Sequence, residues 1–380
     1  MEKPIRILHV FGSLNRGGAE TMAMNLYRKI DKTKIQFDFV VHGDLVGDYE
    51  EEIEGYGGKI YRIPRYKGSN HFLYAREWKR FLTKHQEYKI VHSHVRSTAS
   101  IYLAIAKEMG RVTIIHSHNT SSGKGISAIA KNILQSRLRR VSDYYFACST
   151  EAGEWLFGKE ICQSDKFFLT KNAIDIEKFS FCEAKRAAVR RRLGLENKIV
   201  IGHIGRFNPQ KNHEFIIDIF QKTLEILPKS CLLLVGEGNL EPIIQDKVNN
   251  LGLSDEVLFA GVRTDITDLL QAMDFFLMPS LFEGLPVVLI ETQAAGLPAL
   301  ISTEISNEVK ITDFIESLSL DENSSVWAAE IKKMLQKITR KNMHAGLLKA
   351  GYDIKAAAAW YESFYLEVTH ENNEEYGAAK

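Results

Sequence analysis

A chain of 380 residues is longer than one hydrophobic core usually grows and fits two domains of ordinary size. Its 49 Lys and Arg against 48 Asp and Glu, with 45% hydrophobic and 26% charged residues, are the proportions of a folded soluble protein and exclude disorder and collagen. No stretch of 18 apolar residues occurs, and the opening MEKPIRILHVFGSL breaks its apolar run with Arg6 and His9, so neither a membrane span nor a signal peptide is expected. Apolar bursts then recur with helix-length polar segments between them: IRILHVFG, FDFVVHG, KIYRIP, KIVHSH, VTIIHSH and YYFACST, followed by KIVIGHIGR, CLLLVGEG, VLFAG, DFFLMPS and LPALIS. Continuous Val/Ile/Leu/Phe runs that end in Gly, His or Ser suit parallel strands buried on both faces, and each half of the chain reads as a doubly wound sheet. Residues 172–198 separate the two series with a charge-rich segment, where a linker is expected. IKAAAAWYESFYLEV reads as a final helix, and ENNEEYGAAK as a disordered polar tail.

The near-neutral total hides an asymmetry. Residues 1–177 carry 27 basic and 20 acidic groups, residues 178–380 carry 22 and 28, so the halves stand at +7 and −6. A basic half suits an anionic partner or surface, although such asymmetry also arises incidentally. Cys148, Cys162, Cys182 and Cys231 include no close pair for a zinc knuckle or redox dithiol, and reduced, cytosolic thiols are expected.

Four segments carry the chemistry. After the first strand, Gly12, Gly17 and Gly18 precede a helix whose N–H groups an anion can approach, though the spacing is not GxGxxG and a tight turn would look the same. In IGHIGRFNPQKN a buried strand delivers Arg206 and, past a Pro-containing turn, Lys211; a planar fork and a mobile point charge together suit a diphosphate, and a solvated loop is the alternative. In FFLMPSLFEGLPVVLIETQAAGLPALIS a strand ends in a loop with Ser280 and Glu283, then a helix over 286–295 offers the N–H groups of Leu285 and Val287 to an anion. Gly296 and Pro298 end that helix, and Glu291 lies inside it, about 8 Å along the axis. A carboxylate between VVLI and TQAA needs hydrogen bonds, which ribose hydroxyls, a cap or a salt bridge would supply. Finally, His92 with His94 and His116 with His118 end two strands; with no DxD in the chain and no carboxylate at ligand spacing, they read as polar lining rather than a metal site.

The combination resembles glycosyltransferase family 4, retaining enzymes of the GT-B fold, an α/β architecture of two facing Rossmann-like doubly wound parallel-sheet domains with a cleft between them. The resemblance runs from NRGGAE through VHSH, IIHSHN, KNAIDIEKF, GRFNPQKN, LLLVGEG and VLFAGVRTD to PSLFEGLPVVLIETQAAGLP, and KNAID departs from many members in having Ala173 for Gly. It implies an acceptor-side domain of residues 1–177 plus 355–370, a nucleotide-sugar domain of 178–354, and a tail of 371–380. It implies further that Arg206 and Lys211 hold the donor diphosphate, that Glu291 holds the ribose and that Glu283 faces the transferred sugar. Val262 and Arg263 would lie beside the base, Gly17 and Gly18 would line the donor or acceptor side, and His116, or else His118, would sit near the reacting centre.

The function so implied is transfer of a sugar from a nucleoside-diphosphate sugar, UDP favoured, to a saccharide acceptor, lipid-linked, in surface or capsular polysaccharide biosynthesis. No metal, no cofactor and no nucleic acid is expected to take part. The expected location is cytoplasmic, peripheral at the inner face of the cell membrane. KNILQSRLRR places Lys131, Arg137, Arg139 and Arg140 beside the apolar ISAIA, a basic amphipathic surface suited to anionic lipid or a solvated helix face. A nicotinamide dehydrogenase is disfavoured because GxGxxG is missing; an epimerase of the same fold and a catalytically silent nucleotide-sugar-binding subunit remain as alternatives.

Overall fold

A computed structural model describes residues 3–118 and 135–377, with side chains as far as residue 371. The chain divides into two compact units, Met1–Ala173 with Asp353–Lys380, and Ile174–Tyr352. Unit 1 builds a parallel sheet from β1 (Ile5–Phe11), β2 (Ile35–His42), β3 (Ile60–Ile63), β4 (Ile90–Ser93), β5 (Val112–Ser117), β6 (Tyr144–Ala147) and β7 (Phe167–Leu169), in the order β3-β2-β1-β4-β5-β6-β7. Unit 2 builds another from β8 (Ile199–Ile204), β9 (Ser230–Val235), β10 (Val257–Phe259), β11 (Phe275–Met278), β12 (Ala299–Ser302) and β13 (Ile315–Leu318), in the order β10-β9-β8-β11-β12-β13. The apolar runs form strands because both faces are covered: every residue of β9, β11 and β12 is buried. The sequence reading passes over β7 and β13, short edge strands whose half-buried patterns lack a continuous apolar run.

In each sheet the winding reverses beside its first strand, between β1 and β4 and between β8 and β11. At such a reversal the loops leaving the two strands diverge and open a crevice at their carboxyl ends. The motifs singled out in the sequence lie at these ends: Gly12 and His94 in unit 1, Gly205–Lys211 and Pro279–Pro286 in unit 2.

The expected linker needs correction. Unit 2 begins at Ile174, and the charge-rich stretch contains α2 (Glu183–Leu193), downstream of α1 (Gly18–Lys29) in unit 1. Its arginines serve the fold: Arg186 Nη2 and Arg190 Nη1 bind Asp274 at 2.5 and 3.0 Å, while both guanidinia donate to the Ala272 carbonyl. Charge density alone cannot separate such a packed helix from a solvated linker. The tail needs correction too. Beyond α3 (Val287–Ala294), helix α4 (Ile354–Gly377) continues through the ENNEE stretch, where Glu and Asn oppose helix propagation only weakly. The earlier turns of α4 pack on unit 1, with Tyr361, Phe364 and Tyr365 in the same core as Phe37, Ile90 and Phe146.

Helix α3 ends as its sequence requires. Gly296 has φ 60°, its N–H reaches the Gln293 carbonyl at 2.9 Å, and a Cβ there would overlap the Lys341 backbone oxygen. Left-handed backbone and the overlap together predict that Gly296→Ala lowers stability by more than about 1 kcal/mol. Urea unfolding should show a lower midpoint at an unchanged slope, and an unchanged midpoint would refute this account of the helix end.

Candidate functional site

In unit 2 the site is built where β8 and β11 part. Strand β8 ends at Ile204 and releases Gly205 and the exposed Arg206. The turn beyond is closed by Asn208, whose side chain accepts from the Lys211 N–H at 3.2 Å, and by Asn212 in the left-handed region, φ 56°. This loop is stitched to the one following β11. Leu281 N–H donates to the Gln210 carbonyl at 2.8 Å, Gln210 Nε2 to Phe282 O at 3.0 Å, and Asn212 Nδ2 to Pro279 O at 3.1 Å. The stitching brings Lys211 Nζ to 2.6 Å from Glu283 Oε1, an ion pair largely withdrawn from water. Glu283 is fixed from behind by a parallel bridge to Ile305.

Helix α3 follows, with Leu285 and Pro286 leading into its first turn. Glu291 sits half-buried on it, between the buried Ile290 and Thr292. Its carboxylate has no hydrogen-bond partner among the described residues. Desolvation pushes its pKa up to about 7, opposed in part by Lys178. Val262 is exposed beyond β10, and Arg263 forms a two-point pair with Asp265 at 2.7 and 2.8 Å.

Sequence reasoning missed two supports of this loop. LLLVGEG supplies Gly236, at φ 136°, where a Cβ would overlap the Gly205 carbonyl oxygen, so the loop after β9 passes directly against the Arg206 loop. Beneath it lie His203, whose Nδ1 donates to the Leu277 carbonyl at 2.8 Å, and His213, stacked on Phe207 at 4.1 Å. Burial lowers His213 to about 4, so it is neutral near pH 7. A histidine inside an otherwise apolar strand was the available signal for His203.

In unit 1, Gly17 caps α1 and Gly18 is its first residue. The Glu20 carboxylate folds back over this helix end so closely that a Cβ at Gly17 would overlap it, so the chain supplies its own anion there. His116 and His118 join His92 and His94, and also His9, which the sequence reading noted only for breaking an apolar run. Parallel register sets His9 of β1 against His92 of β4, and the two-residue repeat of a strand gives each His-Ser-His pair a common face. His9 Nδ1 lies 3.0 Å from His94 Nε2, and His94 Nδ1 lies 2.9 Å from His118 Nε2. Burial, followed for most of the five by repulsion from neighbouring histidines, lowers every one of these pKa values; His9 and His118 fall to about 3.

Beside the same strand ends an open cavity of about 920 Å³ is lined by Gly12, Ser13, Gly43, Arg65, Lys67 and Thr98, among others. Leu45 and Val46 on its β2 side are 85% and 78% exposed. Of the basic surface expected at 126–140, Lys131 and the ISAIA run lie outside the described residues, while Arg137, Arg139 and Arg140 are exposed. No described helix is long and apolar enough to cross a membrane.

The structure thus collects Arg206, Lys211, Glu283, Leu285, Val287 and Glu291 around one strand reversal, with Val262 and Arg263 at the carboxyl end of β10. Gly17, Gly18, His116 and His118 belong to unit 1.

Comparison with known proteins agrees with this division. Residues 16–178 match the family model described as Glycosyltransferase Family 4, and residues 185–346 the one described as Glycosyl transferases group 1. EpsF of Bacillus subtilis (strain 168), a glycosyltransferase by name, is 35% identical over 359 residues, which cover 92% of this chain and 93% of that one. An Escherichia coli UDP-Gal:α-D-GlcNAc-diphosphoundecaprenol α-1,3-galactosyltransferase is 27% identical over 64% of this chain and 65% of its own. Among solved structures, Anabaena Alr3699/HepE in complex with UDP and glucose aligns with a TM-score of 0.73 at 19% identity, covering 97% of this chain and 99% of its own. With both halves matched and a relative aligned over nearly its whole length, the chain belongs to the family 4 glycosyltransferases and has their GT-B architecture of two parallel-sheet α/β domains.

Proposed function

We propose that this glycosyltransferase moves a sugar, with retention of configuration and without a metal, from a UDP-sugar to a lipid-linked saccharide in the assembly of a bacterial surface polysaccharide. The observation that carries the donor reading is Glu291, a half-buried, partly desolvated carboxylate on α3 with no hydrogen-bond partner among the described residues. Such a group costs stability until hydroxyl donors satisfy it, and a ribose diol brings two. Arg206, Lys211 with its partner Glu283, and the first turn of α3 stand around one strand reversal, and they supply donors for a diphosphate as it leaves. A UDP base is supported by the UDP-containing complex and by the UDP-galactose named for the relative, with Val262 and Arg263 assigned beside the base.

In the reaction proposed, the acceptor hydroxyl oxygen bonds to the anomeric carbon on the face from which the diphosphate oxygen departs. Its proton passes to the departing phosphate. Arg206 and Lys211 neutralise the charge that develops, Glu283 positions Lys211 and faces the sugar, and His116 is assigned to the reacting centre. The acceptor reading rests on unit 1, where Arg65 and Lys67 line a cavity beside the exposed Leu45 and Val46. Cations next to exposed apolar side chains suit a diphosphate joined to a lipid, the acceptor type named for the Escherichia coli relative. A site for such a substrate is best placed at the inner membrane surface, where the exposed Arg137, Arg139 and Arg140 would meet anionic headgroups.

Glu291→Gln tests the donor site. The donor KM should rise about ten-fold with kcat little changed, since a ribose contact acts in ground and transition states alike. Hydroxyls donate best to the ionised carboxylate, so wild-type donor affinity should increase as pH rises through about 7 and the variant's should not. A fall confined to kcat would refute the ribose assignment.

The same substitution has a stability signature with a definite sign. Between its ordinary value of 4.5 and about 7, the folded state holds a proton on Glu291 that the unfolded state has lost, so wild-type stability falls as pH rises through that window. Glu291→Gln should therefore be more stable than wild type at pH 8, by up to about 3 kcal/mol and less where water still reaches the group, with the gain gone at pH 4. Thermal melting at the two pH values reads it.

Lys211→Ala should lower kcat about a hundred-fold, the usual cost of roughly 3 kcal/mol for a lost charge stabiliser, and transfer should survive EDTA. Near-normal turnover in the variant would remove the phosphate clamp. Loss of activity in EDTA that magnesium restores would bring a metal into it.

A further inference from the structure

The five histidines of unit 1 hold more imidazole nitrogen than the fold uses. His116 Nε2 is held by the Thr170 hydroxyl at 3.0 Å, and His92 Nδ1 by the Tyr365 hydroxyl at 2.8 Å. The opposite nitrogens, His116 Nδ1 and His92 Nε2, are buried without a partner among the described residues, as are His9 Nε2 and His118 Nδ1. His116 itself is 0% exposed, and its orphaned nitrogen is a buried polar atom for which the described protein supplies no bond. The ligand atoms of His94, His116 and His118 lie within 4.8 Å of one another. Tetrahedral coordination with metal–nitrogen bonds of about 2.0–2.1 Å places ligand nitrogens roughly 3.4 Å apart, so modest side-chain rotations would close the set.

We propose that His94, His116 and His118 form a binding site for one divalent transition-metal ion of the zinc class. The support around them is of the kind such sites use, in which the nitrogen not bound to metal is anchored to a fixed partner. Thr170 anchors His116 through Nε2, and His9 anchors His94 through Nε2, which leaves Nδ1 of each for the ion. The bond between His94 Nδ1 and His118 Nε2 is the contact an ion would replace. Three neutral nitrogens and no carboxylate select against the oxygen-seeking magnesium and calcium and in favour of zinc, cobalt or nickel. His94 and His118 are only half-buried, which gives the ion a way in that His9 and His92, each 1% exposed, lack. His116 is also the residue assigned above to the reacting centre, so binding is read by calorimetry without donor or acceptor and transfer is read in EDTA, and the two succeed or fail in different measurements.

The test uses the full chain stripped with EDTA and exchanged into chelator-free buffer. Calorimetric titration with Zn²⁺ alone should show one equivalent bound, and Co²⁺ should develop the visible absorption bands of a four-coordinate nitrogen site. His94→Ala should weaken Zn²⁺ binding at least ten-fold, with thermal melting confirming that it folds; His118→Asn serves the same purpose should it not. Thr170→Val, which removes no ligand, should weaken binding about ten-fold because His116 loses its anchor, whereas His71→Ala on the exposed surface should leave it unchanged. No binding by wild type, or equal binding by wild type, His94→Ala and His118→Asn, would overturn the proposal and leave the histidines as a hydrogen-bonded polar core.

Discussion

Parallel pairing of strands buried on both faces is the constraint from which the rest of this molecule follows. A strand such as SCLLLV or FFLM has no exposed face on which to carry a functional side chain. Chemistry is therefore confined to strand ends, and parallel direction puts all those ends on one edge of the sheet. The reversal of winding next to β1 and next to β8 then decides which ends diverge enough to admit a ligand. Arg206, Lys211 and Glu283 in one unit, and the His-Ser-His pairs in the other, stand where this geometry leaves room.

The same burial sorts the ionisable groups by what satisfies them. Asp38, fully buried in β2, receives Arg6 through two bonds of 2.5 Å, the Tyr88 hydroxyl at 2.7 Å and the Lys59 N–H at 2.6 Å. Asp274 is likewise held by Arg186, Arg190 and the Val200 N–H. These carboxylates are structural, because losing the arginines that pair with them would leave a poorly compensated charge in protein. Glu291 and the unit 1 histidines differ in kind: the fold desolvates them and leaves them short of partners. That contrast within one molecule is the physical reason to look for ligands at the second set rather than the first.

Much of this was legible beforehand, because apolar runs closed by Gly, His or Ser are a local signal. Eleven of the thirteen described strands coincide with an apolar burst of the sequence, all but KIYRIP closed in that way. What escaped was non-local. The Arg186 and Arg190 contacts with Asp274 span more than eighty residues, so α2 read as a linker. His9 looked like an interruption until register set it opposite His92. Arg65 and Lys67 stand in a loop with no motif, and only the cavity they line gives them a role. At the strand reversal of unit 2 the sequence singled out Arg206, Lys211 and Glu283, but it could not foretell that Lys211 and Glu283 would hold each other.

That ion pair bears on how the proposed donor site would work. Lys211 and Glu283 are each largely shielded from water, and either alone would carry a heavy desolvation cost; paired, they are neutral together and keep the loops after β8 and β11 in register before any ligand arrives. An incoming diphosphate would offer Lys211 a second anion beside Glu283, with Arg206 leaving β8 on the same loop. Glu283 would then keep one oxygen on the lysine while the other meets the sugar. A cation already oriented by a carboxylate loses little freedom when charge develops on the leaving group, so more of its attraction goes to the transition state than to ordering a flexible side chain. The pair that stabilises the unliganded loop would thereby also prepare it for transfer.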